Sequence, residues 1–353
     1  MLQYILKRFL NMIPLLLGIS LISFWIMQLA PGDYFSTMEL NPEISRETLD
    51  RMREEFHLDK PAFFISVGAE DEWDVGFHWD NQYLNWLKEV MAPEYGTLFG
   101  IPIIRPRLNF GYSFKYHIPI IDLITDRLWN TLQLSIAAML LSWCLAIPIG
   151  IYSAVHPYSR MDKMFSFCAF FGMSVPGFFL AFLLLYVASV TGWFPIGGLQ
   201  SINYDTLSLF EKVWDRVHHL MIPTLVLGTG SMAGLVRLMR GNMLETLRAE
   251  FVTTARAKGL AEQVVIYKHA LRNAINPFIT IFGYQLSTLF SGAAITEIIT
   301  AWPGLGRLML DAVISQDLFL VMGNLLMGSV LLIVGNLSAD ILLAVSDPRI
   351  RHE

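Results

Sequence analysis

Apolar residues dominate six stretches of the chain from which Asp, Glu, Lys and Arg are missing. Five of them are residues 9–31, 128–159, 217–236, 273–296 and 318–339, and a sixth starts at Met164. A hydrocarbon layer of about 30 Å requires roughly 20 helical residues, at about 1.5 Å each. Every stretch meets that length, and the one from Met164 has residues to spare for a loop. The pattern predicts an all-α polytopic membrane protein with six transmembrane helices, over residues 9–30, 129–152, 164–191, 221–239, 274–299 and 318–345.

The polar intervals add local detail. Residues 44–58 form an amphipathic stretch with Ser45 as N-cap and Thr48 where a capping box prefers Glu. Residues 62–107 are acidic and aromatic, with Trp73, Phe77, Trp79, Tyr83 and Trp86. Pro176-Gly177 falls in the middle of the third predicted helix, a break that membrane helices tolerate where neighbours or water satisfy the freed carbonyl. Gly230 and Gly234 make a G-x-x-x-G pair in the fourth, read as close packing within the chain. Pro277 opens the fifth, in a first turn that needs no N–H there.

Charge orients these elements. Of the 353 residues, 54% are apolar and 16% charged, against about 45–50% and about 25% in soluble domains. The first helix follows Lys7 and Arg8 and lacks a small-residue cleavage site, so it reads as an uncleaved anchor. With the N-terminus inside, the inside segments carry thirteen bases against six acids, and the outside segments twelve against twenty-three. Bases predominate inside, as the positive-inside rule requires. Four regions follow: an anchor at 1–30, an extracytoplasmic region at 31–127, a core at 128–345 with an inside loop at 240–273, and a cytoplasmic tail at 346–353. Both termini are expected in the cytoplasm. Cys144 and Cys168 fall within spans, without metal spacing, and read as packing residues.

The inside loop carries the richest chemistry. It reads Glu250-Phe251-Val252-Thr253-Thr254-Ala255-Arg256-Ala257-Lys258-Gly259-Leu260. Good helix formers precede Gly259, which stands where a helix stops in a left-handed cap, and a second helical run covers 261–272. Thr254, Ala255 and Ala257 leave room for close docking, Phe251 and Leu260 offer apolar contacts, and Arg256 and Lys258 add charge. Such an element can dock into a groove of a soluble partner and pass its motion on. A basic amphipathic loop lying on anionic lipid is the other reading of the same residues.

The run from Thr254 to Leu260 resembles the cytoplasmic "EAA" loop of binding-protein-dependent ABC importers, in the form of the dipeptide/oligopeptide permeases. The chain departs from the wider consensus, having Thr253-Thr254-Ala255 in place of Glu-Ala-Ala. The likeness continues in His269-Ala270-Leu271-Arg272-Asn273-Ala274 and Pro277. It extends to Leu29-Ala30-Pro31-Gly32-Asp33, Phe110-Gly111-Tyr112-Ser113, Arg127-Leu128 and Asn130-Thr131-Leu132. Glu297, Trp302-Pro303-Gly304-Leu305-Gly306-Arg307 and Asp347-Pro348-Arg349 complete it. The ordered set is similar to the first of the two paired permease subunits, with a longer outer segment at 62–107.

The resemblance implies a type I ABC importer (MetI-like) permease fold in a bacterial inner membrane. It implies a second permease subunit as heterodimer partner, two cytoplasmic ATPases that hold ATP and Mg, and an extracytoplasmic solute-binding protein. Peptides are the implied cargo, with nickel or another small solute as the alternative within the family. The residues agree that this chain is no enzyme: no Gly is followed by Lys, so a Walker A loop is missing, and H-E-x-x-H and G-x-S-x-G do not occur. No cofactor, metal site or nucleic-acid partner is expected. Glu297, Asp340 and Pro176 are the candidates for the translocation path or a gate. Glu297 reads rather as an interfacial acid open to water, and Asp340 rather as a group hydrogen-bonded to a neighbouring helix. A stand-alone proton-coupled carrier would need several buried acids or histidines in the spans, and Asp340 alone qualifies clearly.

Overall fold

The computed structural model describes residues 2–29, 34–39, 45–56, 58–63, 65–66, 76–98, 101–106, 109–278, 281–282, 285 and 294–346. The described residues are mainly helical. In chain order they form α1 (Leu2–Gln28), α2 (Tyr34–Met38), α3 (Arg46–Glu55), β1 (Ile65–Ser66), β2 (Gly76–Phe77) and α4 (Gln82–Met91). Next come β3 (Pro93–Leu98), β4 (Ile101–Pro106), α5 (Ile120–Val155), α6 (Arg160–Ser174), α7 (Gly177–Thr191) and α8 (Leu209–Leu247). Beyond α9 (Glu250–Ala257), α10 (Glu262–Val264), a π-helical stretch Val265–Ala270 and α11 (Leu271–Ala274), helices cover Ala294–Ile299, Leu305–Ile314 and Leu318–Ser346. The strands pair as two antiparallel hairpins, β1 with β2 and β3 with β4, both within the acidic aromatic stretch 62–107.

Two compact units can be separated: Met1–Arg127 with Leu308–Val330, and Leu128–Arg307 with Leu331–Glu353. The first is built around aromatic rings. Phe24 of α1 meets Phe63 and Tyr83 edge-on at 5.2 and 5.6 Å, and the Ser20 and Tyr83 hydroxyls are 2.8 Å apart. Phe35, Phe56, Phe114 and Phe319 form a second group, with Phe114 central at 4.9–5.3 Å from the other three. Helix starts here are capped as their sequences dictate: Ser45 accepts from Thr48 N–H before α3, and Asn81 from Leu84 N–H before α4. Asp317, fully buried, caps the helix Leu318–Ser346 at Leu320 N–H and also accepts from the Ser113 hydroxyl at 2.6 Å and Lys115 N–H at 3.2 Å.

In the second unit α5, α6 and α7 pack around α8. At the α5–α8 crossing the backbones come close because Gly150 and Gly228 have no side chains. A Cβ at Gly150 would stand 2.5 Å from Met239 Cβ and 3.1 Å from Arg240 N, and one at Gly228 would stand 2.9 Å from Leu141. Ser142 ties the same pair of helices by donating to Gly228 O at 2.8 Å. Gly150→Ala is therefore expected to lower stability by about 1–3 kcal/mol through overpacking. A fall in the thermal midpoint of the detergent-solubilised protein would register it; an unchanged midpoint would contradict the close crossing.

Among the described residues, four helices are long and apolar enough to cross a membrane: Leu10–Gln28, Ile120–Val155, Leu209–Leu247 and Leu318–Ser338. The pair α6 and α7, bent by 99° at Val175-Pro176, makes a fifth if counted as one broken span. The span predicted at 274–299 falls in large part outside the described residues. α8 runs for 39 residues, far beyond the predicted 221–239, because charge-free length measures the apolar layer and not the helix. Its N-terminal end carries Glu211, Lys212, Asp215 and Arg216, and it starts where Ser208 and Glu211 form a capping box.

Candidate coupling element and buried acid cluster

The segment after α8 folds as helix, glycine turn, helix. α9 ends at Ala257 with Lys258 as its C-cap, and Gly259 takes φ +77°. Gly259 N–H donates to Arg256 O at 2.9 Å and Leu260 N–H to Ala255 O at 3.4 Å, the two bonds of a Schellman motif. A side chain here would meet no clash but would hold a left-handed backbone at a cost of about 1–2 kcal/mol.

The helix has two faces. Val252 and Ala255 are buried in a cluster with Met239, Met243, Val265 and Ala270, which anchors α9 to its own unit. Ala255 is thus a packing residue and not part of an open docking face. Glu250, Phe251, Thr254, Arg256, Ala257, Lys258, Gly259 and Leu260 are exposed, with Phe251 at 44% and Leu260 at 40%. Arg256 is committed within the chain: its guanidinium grips Glu262 at 2.7 and 3.1 Å, pinning α9 to α10 across the turn. That bond holds the Glu262 carboxyl below its ordinary value. A lowered folded-state pKa means that the contribution is present above the ordinary value and is lost as pH falls through the lowered one. The tie is intact at neutral pH.

Glu297 is not open to water; it is wholly buried. Its Oε1 accepts from the Thr131 hydroxyl at 3.1 Å and its Oε2 from Arg307 N–H at 2.9 Å. Arg307 stands in the first turn of the helix Leu305–Ile314, so the carboxylate sits on a helix N-terminus, where negative charge is favoured. Thr131 also accepts from Leu305 N–H at 2.7 Å. Asn130 closes the turn from both sides: its amide donates to Pro303 O, and its carbonyl accepts from the Trp302 indole, each at 3.0 Å. Trp302 is fully buried, and a Cβ at Gly304 would overlap the Glu297 carboxylate. Asn130-Thr131 and the 302–307 turn each stand out in the sequence as motifs, but no local signal pairs residues separated by 166 positions or more.

Pro176 is the N-cap of α7 at the 99° bend, far in sequence from Glu297. Asp340 lies on the helix Leu318–Ser346, and its side chain is outside the described residues. A further pair, without a sequence signal, is Asp162 with Arg240 at 3.2 Å; Asp162 also accepts from Tyr158 N–H at 2.8 Å. Among the described residues, no cluster of three His, Cys, Asp or Glu is placed to hold a metal.

The family model described as binding-protein-dependent transport system inner membrane component matches residues 146–352, more than half of the chain. The oligopeptide transport system permease protein AppB of Bacillus subtilis (strain 168) is 38% identical over 353 residues, covering all of both chains. The dipeptide transport system permease protein DppB of Escherichia coli (strain K12) is 34% identical over 371 residues, again covering both completely. A solved chain of the MetNI methionine ABC transporter, inward-facing, aligns at 15% identity and TM-score 0.49, over 65% of this chain and 98% of that one. That likeness is too loose to carry a mechanism. Full-length identity and the family match agree: the chain belongs to the family of binding-protein-dependent transport system inner membrane components.

Proposed function

We infer that the chain is a permease subunit of an ATP-driven importer of peptides, supplying half of the translocation path. Two full-length relatives at 34–38% identity are named for oligopeptide and dipeptide transport, which favours peptides over nickel or other small solutes. The second half comes from a paired permease subunit. Two cytoplasmic ATPases bind ATP and Mg and do the hydrolysis, and an extracytoplasmic protein delivers the solute. The chain crosses the membrane six times with both termini in the cytoplasm, and the insert at 62–107 lies outside.

The observation that carries the reading is the two-faced α9 with its glycine turn. Val252 and Ala255 fix it to the spanning helices, while Phe251, Thr254, Lys258 and Leu260 remain available to an ATPase groove. The element does work only if it binds the two ATPase states with different affinity. Buried acids do not favour a proton-coupled carrier: Asp162, Glu297 and Asp317 all accept from backbone N–H groups, as structural caps do.

Phe251→Cys is expected to cross-link to a cysteine in the ATPase groove, in a yield that changes when ATP is added. Thr131→Cys, fully buried beside Glu297, should give none. Equal cross-linking from both positions, or none from Phe251→Cys, would remove α9 from the interface.

A further inference from the structure

One cation in the spanning part of the chain has a placement that coupling does not explain. Arg240, toward the inner end of α8, bonds to Asp162 at 3.2 Å and lies 6.0 Å over Tyr158. Arg237, one turn earlier, is directed the other way. Its guanidinium carbon lies 5.0 Å from the centre of the Phe170 ring. Phe170 is two turns further along α6 than Asp162, about 12 Å at about 1.5 Å per residue. Side chains on a helix lean toward its N-terminus, and the N-terminus of α8 is the end remote from α9. An arginine near the end of an apolar span ordinarily extends to the nearer water. This one instead rests its charge on an apolar ring.

Arg237 is exposed, and among the described residues it has no hydrogen bond or ion pair. Lying over a ring leaves the N–H edges of a guanidinium unused, and those edges match a carboxylate in a two-pronged contact. Access is open: Gly234 and Gly241, about one turn to either side, have no atoms within 4 Å of where a Cβ would stand, so among the described residues the packing within the chain expected at Gly230 and Gly234 is not formed. We propose that Arg237, steadied by Phe170, receives the terminal carboxylate of the peptide during its passage. This rests on the peptide-import reading above.

The test uses the complete transporter in liposomes, with a benzophenone-bearing phenylalanine at position 170 and tritiated trialanine as probe. Wild-type uptake is measured first; no ATP-dependent uptake sinks the peptide reading and this inference with it. With uptake present, label should attach at position 170 during ATP turnover. Arg237→Gln should lower that attachment and kcat/KM for uptake about tenfold or more, the loss expected for a hydrogen bond to charge. Arg237→Lys should restore part of both. Attachment to lipid or to the partner permease alone, or Arg237→Gln uptake at the wild-type rate, overturns the assignment and leaves peptide import standing. The photo-attachment in an otherwise wild-type chain needs no change at Arg237, so it decides the matter even where Arg237→Gln does not assemble.

Discussion

Glu297→Leu is expected to lower the stability of the chain by about 2–6 kcal/mol. The change removes the acceptor of the buried Thr131 hydroxyl and the partly buried Arg307 N–H, and an unsatisfied donor that is buried costs about 1–3 kcal/mol, at most that much for each here. It also removes the negative charge at the start of the helix Leu305–Ile314. Glu297→Gln keeps one carbonyl oxygen as acceptor and should fall between. Gly304→Ala is expected to be nearly as damaging, because its Cβ would overlap the carboxylate. The two changes should not add: once Glu297→Ala has emptied the site, Gly304→Ala should lose most of its effect, a coupling that a double-mutant cycle reads directly. Thermal midpoints of the purified variants provide the numbers. Additive losses, or a Glu297→Leu protein as stable as wild type, would mean that the cluster does not hold the 302–307 turn.

The second large effect is functional. Gly259→Leu forces a branched side chain into a left-handed backbone at φ +77°, at about 1–2 kcal/mol. The Schellman bonds from Gly259 and Leu260 then compete with a relaxed turn, and the exposed face of α9 is no longer held in one orientation. One to two kcal/mol alters a two-state ratio roughly 5–30-fold. The expected result is a chain that inserts and assembles normally, with ATP hydrolysis preserved and uptake per ATP reduced by a factor in that range. Coupled uptake at the wild-type ratio would remove the turn from the transmission path.

Much of this was legible in the residues, for identifiable reasons. Apolar length located the spans at 9–30, 129–152 and 318–345, because a bilayer imposes length directly. Ser45 and Gly259 announced a helix start and a helix stop, since caps are local chemistry. The ordered motifs from Leu29 to Arg349 pointed to the family that the full-length relatives establish. What escaped depends on contacts between distant residues. Glu297 read as open to water because nothing near it in sequence reveals Thr131 or the helix N-terminus that enclose it. Pro176 marked a break, but nothing local to it gives the 99° angle between α6 and α7. The extension of α8 was hidden by charges that a bilayer excludes and a helix accepts. Ala255 looked free to dock because a small residue on a short helix gives no sign of which side faces the core.

The central claim is that this chain works only as part of an ATP-driven assembly. Its most direct measurement is trialanine uptake into liposomes containing this chain, its paired permease, both ATPases and the binding protein, compared with liposomes containing this chain alone under a proton gradient. Uptake in the complete assembly that requires ATP, with none by the isolated chain, is the predicted result; proton-driven uptake by the chain alone would contradict it.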